Sequence, residues 1–108
     1  MGLFDGWKQP DIDAGLAQFA QTPGAVLLDV RTREEFAQGS IPGSRNLPLQ
    51  ELAKVGQVVP RQDTPLFVYC LSGSRSRRAA AALQRMGYPS VVNLGGICNY
   101  HGKVAVQA

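Results

Sequence analysis

Cys70-Leu71-Ser72-Gly73-Ser74-Arg75-Ser76 follows directly on the apolar run Leu66-Phe67-Val68-Tyr69 and leads into an alanine-rich segment from Arg75 to Met86. A strand that ends on a cysteine, turns through a polar, glycine-containing loop and opens a helix is a way to build a reactive thiolate. Backbone N–H groups of such a loop curl around the sulfur, and the helix N-terminus adds positive potential. A free cysteine titrates near pKa ~8.5, and surroundings of this kind lower that to roughly 3.5–7.5. A fall of about two pH units is worth ~2.7 kcal/mol in favour of the anion. The alternative is a small buried residue at a strand end, against which the polar loop argues. Gly73 suits a tight cradle, which needs left-handed or otherwise strained backbone angles. Ser72, Ser74 and Ser76 offer hydroxyl donors, or serve as turn and N-cap residues. Arg75 closes the loop, holding its shape or a substrate anion, or stands solvated in the first helical turn.

Such a loop must be held by a sheet and its helices. Asp11-Ile12-Asp13 opens a helix with Ile12, Leu16 and Phe19 on one face, and Thr22-Pro23-Gly24 stops it. Ala25 to Val30 is an unbroken, almost wholly apolar run, the pattern of a strand covered on both faces in a parallel sheet. Thr32 and Glu35 form a capping box for a short helix that Gly39 ends. Ile41-Pro42-Gly43 is a turn, Asn46-Leu47-Pro48 a short edge strand or loop, and Gln50 to Val55 a short helix. Leu66 to Tyr69 is the second central strand. In the helix after it Ala79, Ala82, Leu83 and Met86 form a core-facing stripe, Gly87 ends it, and Ser90 to Leu94 is a further strand. Strands alternating with helices predict an α/β fold with a mainly parallel sheet flanked by helices on both faces. Ligands of such sheets bind at the carboxyl ends of the strands, where Cys70 stands.

The 108 residues argue for one domain spanning 1–108. Hydrophobic residues at 44% and charged residues at 18% are those of an ordinary globular chain, and no run approaches the ~20 apolar residues of a membrane span. Met1 to Trp7 lacks the basic and apolar regions of a secretion signal and does not fit N-myristoylation. Two cysteines make no disulfide framework, so the expected compartment is the reducing cytoplasm. Eleven Lys and Arg against eight Asp and Glu give a net charge of +3. The cations are scattered apart from Arg75, Arg77 and Arg78, without the aromatic interleaving of a nucleic-acid binder. A small anionic substrate drawn to a local positive patch fits better than nucleic acid.

With these pieces in place, the sequence resembles a single-domain rhodanese over about residues 12–104. The first signature is matched by Leu28-Asp29-Val30-Arg31, Glu35-Phe36, Gly39-Ser40-Ile41-Pro42-Gly43-Ser44 and Asn46-Leu47-Pro48. Cys70 to Ser76 matches the active loop, and Leu94-Gly95-Gly96-Ile97 the late double-glycine motif. The resemblance implies a rhodanese-like fold and a sulfurtransferase whose Cys70 alternates between thiolate and persulfide. Its loop, Leu71 to Ser76, would bind the substrate. The partners so implied are a small anionic sulfur donor and a thiol or cyanide acceptor, with a protein possible in either role, and no cofactor. Three departures stand out. Leu71 replaces an arginine frequent in thiosulfate-using members. Ser40 and Ser44 replace a histidine and an alanine, a change that bears on packing. Tyr100 lies where an aromatic, commonly tryptophan, follows the glycines, and the segment before Gly102 is shortened.

The remaining candidates support the loop. Asp29 and Arg31 end the strand beside Cys70 and read as structural, with Arg31 pairing with Glu35 along the short helix; a catalytic role is the alternative. His101 is the one histidine, and with two distant cysteines it makes a poor metal site, although a Cys–His nucleophile pair is conceivable. Cys98 reads as buried packing, or as a thiol that resolves the persulfide. A phosphatase or arsenate reductase of related fold is a rival. Such phosphatases place five residues between Cys and Arg, whereas four, Leu71 to Ser74, intervene here. A non-catalytic interaction or regulatory module is the second rival.

Overall fold

The computed structural model describes residues 10–106. The reading of Met1 to Trp7 falls outside them. Helix α1 (Ile12–Ala20) is capped by Asp11, whose carboxylate accepts from the Ala14 N–H at 3.1 Å. Strand β1 (Val26–Asp29) leads to α2 (Arg33–Gln38), which carries the expected reciprocal bonds between Thr32 and Glu35. A short edge strand β2 (Arg45–Asn46) follows. The helix expected from Gln50 to Val55 is a 3₁₀ segment (Leu49–Lys54) kinked at Glu51 and continued as one α-turn, α3 (Val55–Val58). Then come β3 (Leu66–Cys70), α4 (Ser74–Arg85), β4 (Val91–Gly96) and a 3₁₀ turn at Ile97–Asn99.

The four strands are all parallel, in the order β2-β1-β3-β4. Both central strands are covered on both faces, which is why they read as unbroken apolar runs. Leu28, Val30, Leu66, Val68 and Cys70 join one core with Leu52, Val55, Ala79 and Leu83. Leu27, Phe67 and Tyr69 join the other with Ile12 and Leu94, against Leu16 and Phe19 of α1. The alternation along β3 therefore aims Cys70 towards the α4 side and Tyr69 towards the α1 side.

One expectation for α4 is corrected. Met86 does not face the core but is 37% exposed, because the helix ends at Arg85 and Met86 is its C-cap. The inward stripe starts earlier, at Ser76, Ala79 and Leu83, and Tyr88 fills the core beyond the helix. Among the described residues no helix is long and apolar enough to cross a membrane.

Candidate active site

Cys70 is the last residue of β3, 1% exposed, and sits opposite Gly96 of β4. The chain turns through Leu71 and Ser72 to Gly73, whose φ of +112° is a conformation that side chains disfavour. That geometry turns the Gly73 N–H onto Cys70 Sγ at 3.0 Å. Ser76, fully buried one turn into α4, places its Oγ 3.4 Å from the sulfur. The same hydroxyl lies 3.1 Å from the Gly73 carbonyl and 3.3 Å from that of Gly95. It carries a single proton. Beside a neutral thiol it accepts from S–H and donates to those carbonyls; beside an ionised sulfur it can rotate to donate. Ser72 and Ser74 are exposed, and the N-cap position is Gly73 without a side-chain bond, so neither serine caps the helix. Of the three candidate hydroxyls, Ser76 is the one at the sulfur.

Gly96 is the floor under this loop. A Cβ there would meet the Leu71 carbonyl oxygen at 2.5 Å and Ser72 Cα at 2.6 Å, both rigid backbone. The double glycine therefore lets the loop lie directly on the end of β4. Gly96→Ala is expected to lift Leu71 and Ser72 off the strand and to cost about 1–3 kcal/mol of stability. Denaturant unfolding checks the cost.

The loop is held laterally by an ion pair that the sequence did not suggest. Arg75 meets Glu35 of α2 in a two-pronged contact, Nη1–Oε1 at 2.7 Å and Nη2–Oε2 at 2.9 Å. Glu35 thus joins the cap of α2 to the first turn of α4. The expected pairing of Arg31 with Glu35 is corrected. Arg31 instead folds back on buried Asp29, with Nη2–Oδ2 at 2.7 Å and Nε 3.0 Å from both oxygens, and donates to the Gly39 carbonyl at 2.7 Å. The reason is local. Asp29 is fully buried and would be an uncompensated charge without a partner two residues away.

The Arg75 hydrogen bonds hold the Glu35 carboxyl at about 2, well below its ordinary 4.5. A carboxylate whose pKa is depressed by folding stabilises the fold above its ordinary value and ceases to do so as pH falls towards the depressed one. Stability should therefore decline between about pH 4.5 and 2 through this pair. Glu35→Gln should remove about 0.5–1 kcal/mol of that decline, the scale of a partly exposed pair. Urea unfolding of both proteins across this pH range makes the comparison.

A groove of about 420 Å³ opens beside the loop, lined by Arg31, Glu35, Gln38, Gly39, Leu71, Ile97 and Val104. Leu71, 46% exposed, is the loop residue in its wall. Val104 reaches it because the segment after β4 returns alongside Ser40, with Ser40 and Ala105 exchanging backbone hydrogen bonds. Ile97 ends the double-glycine motif, whereas Gln38 and Val104 carry no signal in the sequence and meet the loop only through the fold. Cys98 is exposed, not buried as expected, since it lies in the 3₁₀ turn past the end of β4. Its backbone N–H donates to the Leu71 carbonyl at 3.1 Å, tying the turn to the loop. His101 is bound elsewhere, Nδ1 to Asp13 Oδ2 at 2.6 Å, and does not pair with Cys70. Ser44 serves packing, donating to the Ile41 carbonyl at 2.7 Å and lying 3.0 Å from the Tyr69 hydroxyl. Among the described residues no three His, Cys, Asp or Glu side chains cluster as metal ligands would.

This geometry has close relatives. The model of the rhodanese-like domain matches residues 14–103. A sulfurtransferase of Allochromatium vinosum is 39% identical over 79 residues, spanning 73% of this chain and 73% of its own length. The thiosulfate sulfurtransferase PspE of Escherichia coli is 37% identical over 71 residues, spanning 65% of this chain and 68% of its own. Among solved structures, a rhodanese with anions from E. coli superposes with a TM-score of 0.71 at 31% identity, over 76% of this chain and 98% of that one. With its parallel α/β sheet and a cysteine loop at the carboxyl end of a central strand, this sulfurtransferase-like chain belongs to the rhodanese-like family.

Proposed function

We propose that the protein transfers a sulfane sulfur from a donor to a thiophilic acceptor through a persulfide on Cys70. The thiolate attacks the outer sulfur of the donor; the donor's S–S bond breaks and its electron pair leaves with the remainder, sulfite when the donor is thiosulfate. The new persulfide carries one negative charge on its terminal sulfur. An acceptor such as cyanide or a thiolate then attacks that sulfur, and Cys70 leaves as thiolate, ready for another cycle. The observation that carries this reading is the cradle itself: a sulfur buried at a strand end, with the Gly73 N–H at 3.0 Å and the Ser76 hydroxyl at 3.4 Å. A fixed N–H aimed at the sulfur, with a hydroxyl that can turn to donate as charge develops there, works as an oxyanion hole does for oxygen. Leu71 to Ser76 form the substrate-binding loop, and Asp29 with Arg31 supports it from the neighbouring strand.

The charges around the groove favour a donor of low charge. Arg31, the cation in its wall, is neutralised by Asp29, and Arg75 behind it by Glu35. Leu71 and Val104 make part of the wall apolar. Both cysteines are free thiols, which suits a reducing compartment such as the cytoplasm. The experiment is mass spectrometry of the protein after thiosulfate treatment. A mass gain of one sulfur atom, localised to Cys70 and removed by cyanide with release of thiocyanate, is the expected result. A protein that gains no sulfur from thiosulfate or from a low-molecular-weight persulfide would refute the reading.

A further inference from the structure

A second groove, of about 440 Å³, lies between the 3₁₀ segment and the outer side of α4. Leu49, Leu52, Ala81 and Ala82 form its apolar floor, and Arg78 and Arg85 flank it. Five of the seven described acids stand in ion pairs, Asp13 with His101, Asp29 with Arg31, Glu35 with Arg75, Glu51 with Arg33 and Lys54, and Asp63 with Arg61, while Asp11 caps α1 and Glu34 is exposed on α2. Among the described residues neither Arg78 nor Arg85 has an ion-pair or hydrogen-bond partner, and both are exposed. Two cations outside any ion pair thus flank an apolar strip. The strip is also connected to the active loop. Arg75, Arg78, Ala82 and Arg85 recur at i, i+3, i+7 and i+10, so they share one side of α4. Arg78 stands about 6 Å along the axis from the start of the helix at Ser74, and Arg85 about 10 Å further.

We propose that this side of α4 is a docking surface for an acidic, thiol-bearing protein that accepts sulfur from Cys70. It rests on the proposed sulfur transfer and names the acceptor class. Carboxylates of the partner meet Arg78 and Arg85 while an apolar side chain covers Leu49, Ala81 and Ala82. The partner's thiolate attacks the outer sulfur of the Cys70 persulfide; that S–S bond breaks, the partner becomes the persulfide and Cys70 leaves as thiolate. A nucleic-acid backbone would satisfy the two arginines but leave the leucine and alanine floor bare, so an acidic polypeptide is the better match.

The probes are short fluorescent peptides sharing one cysteine and two leucines, with glutamate in one and glutamine in the other at every remaining position. Binding to the whole protein is read by anisotropy, and sulfur transfer from thiosulfate-loaded protein by peptide mass. The glutamate peptide is expected to bind about tenfold more tightly than the glutamine peptide, and Arg78→Glu with Arg85→Glu should abolish that preference. Arg78→Gln with Arg85→Gln should weaken it and serves if charge reversal impairs folding. High salt should compress the difference. Thiocyanate formation from thiosulfate and cyanide should stay as in the parent protein, since neither arginine belongs to the cradle. Equal binding of the two peptides, a preference that survives both double variants, or displacement of the glutamate peptide by a single-stranded oligonucleotide would overturn the proposal. A parent protein that takes up no sulfur from thiosulfate or from a low-molecular-weight persulfide would instead refute sulfur transfer itself, while the binding comparison would still decide the surface.

Discussion

Replacing Cys70 by serine is expected to abolish thiocyanate formation from thiosulfate and cyanide, a loss on the order of 10⁴-fold or more, as when a nucleophile is removed from other covalent catalysts. The substitution changes one atom at a position that is 1% exposed, so shape and packing are nearly conserved. The serine oxygen can still accept from the Gly73 N–H and meet the Ser76 hydroxyl. What disappears is the sulfur that the proposed mechanism uses as nucleophile and carrier. Cys98→Ser should keep most of the activity, because that thiol is exposed in the turn beyond β4 and reaches the loop only through its backbone N–H. Steady-state kinetics of the parent protein should be ping-pong, with sulfite released before cyanide acts. Substantial turnover by a folded Cys70→Ser protein would remove Cys70 from the mechanism. Equal losses in both cysteine variants would point to a dithiol route.

How much of this site could be read in the sequence depended on how local each feature is. The strand-loop-helix unit around Cys70 was legible because its signals lie within about twenty consecutive residues. An unbroken apolar run, a glycine turn and a helical stripe each report on immediate neighbours. The Thr32–Glu35 capping box was legible for the same reason. The Glu35–Arg75 pair was not, since it joins residues 40 apart and depends on α2 and α4 both starting at the carboxyl end of the sheet. The error over Arg31 has the same origin. Helical spacing offered Glu35 as a partner, but burial of Asp29 sets a stronger demand, which a sequence pattern does not display. The late double glycine was visible as a motif, and only the register of β3 on β4 explains it. Cys70 faces Gly96, and the turn after Cys70 occupies the space of the missing side chain. Cys98 and Met86 depart from the sequence pattern because Cys98 lies just past β4 and Met86 just past α4, where periodicity no longer fixes direction.

Donor choice is expected to turn on Leu71. Thiosulfate is doubly charged, and the groove beside the loop offers it no unmatched cation in its wall: Arg31 is bound to Asp29, and Glu35 is itself bound to Arg75. Leu71, 46% exposed in that wall, is where a cation would face the substrate. Leu71→Arg should add a charge-assisted contact of ~1.5–3 kcal/mol, and so raise kcat/KM for thiosulfate roughly 10–150-fold. A guanidinium meets the anion before as well as during sulfur transfer, so the gain should appear chiefly in KM, with kcat little changed. Glu35 will not quench the new side chain easily, because both of its oxygens already receive hydrogen bonds from Arg75. The advantage should shrink in high salt, as an exposed electrostatic contact must. A low-molecular-weight persulfide, which carries less charge at the transferred sulfur, should respond far less to the substitution. The decisive measurement is therefore a paired comparison, both proteins with both donors at two ionic strengths. Unchanged thiosulfate kinetics in Leu71→Arg, or an equal gain with the persulfide donor, would show that charge at this position does not set the donor.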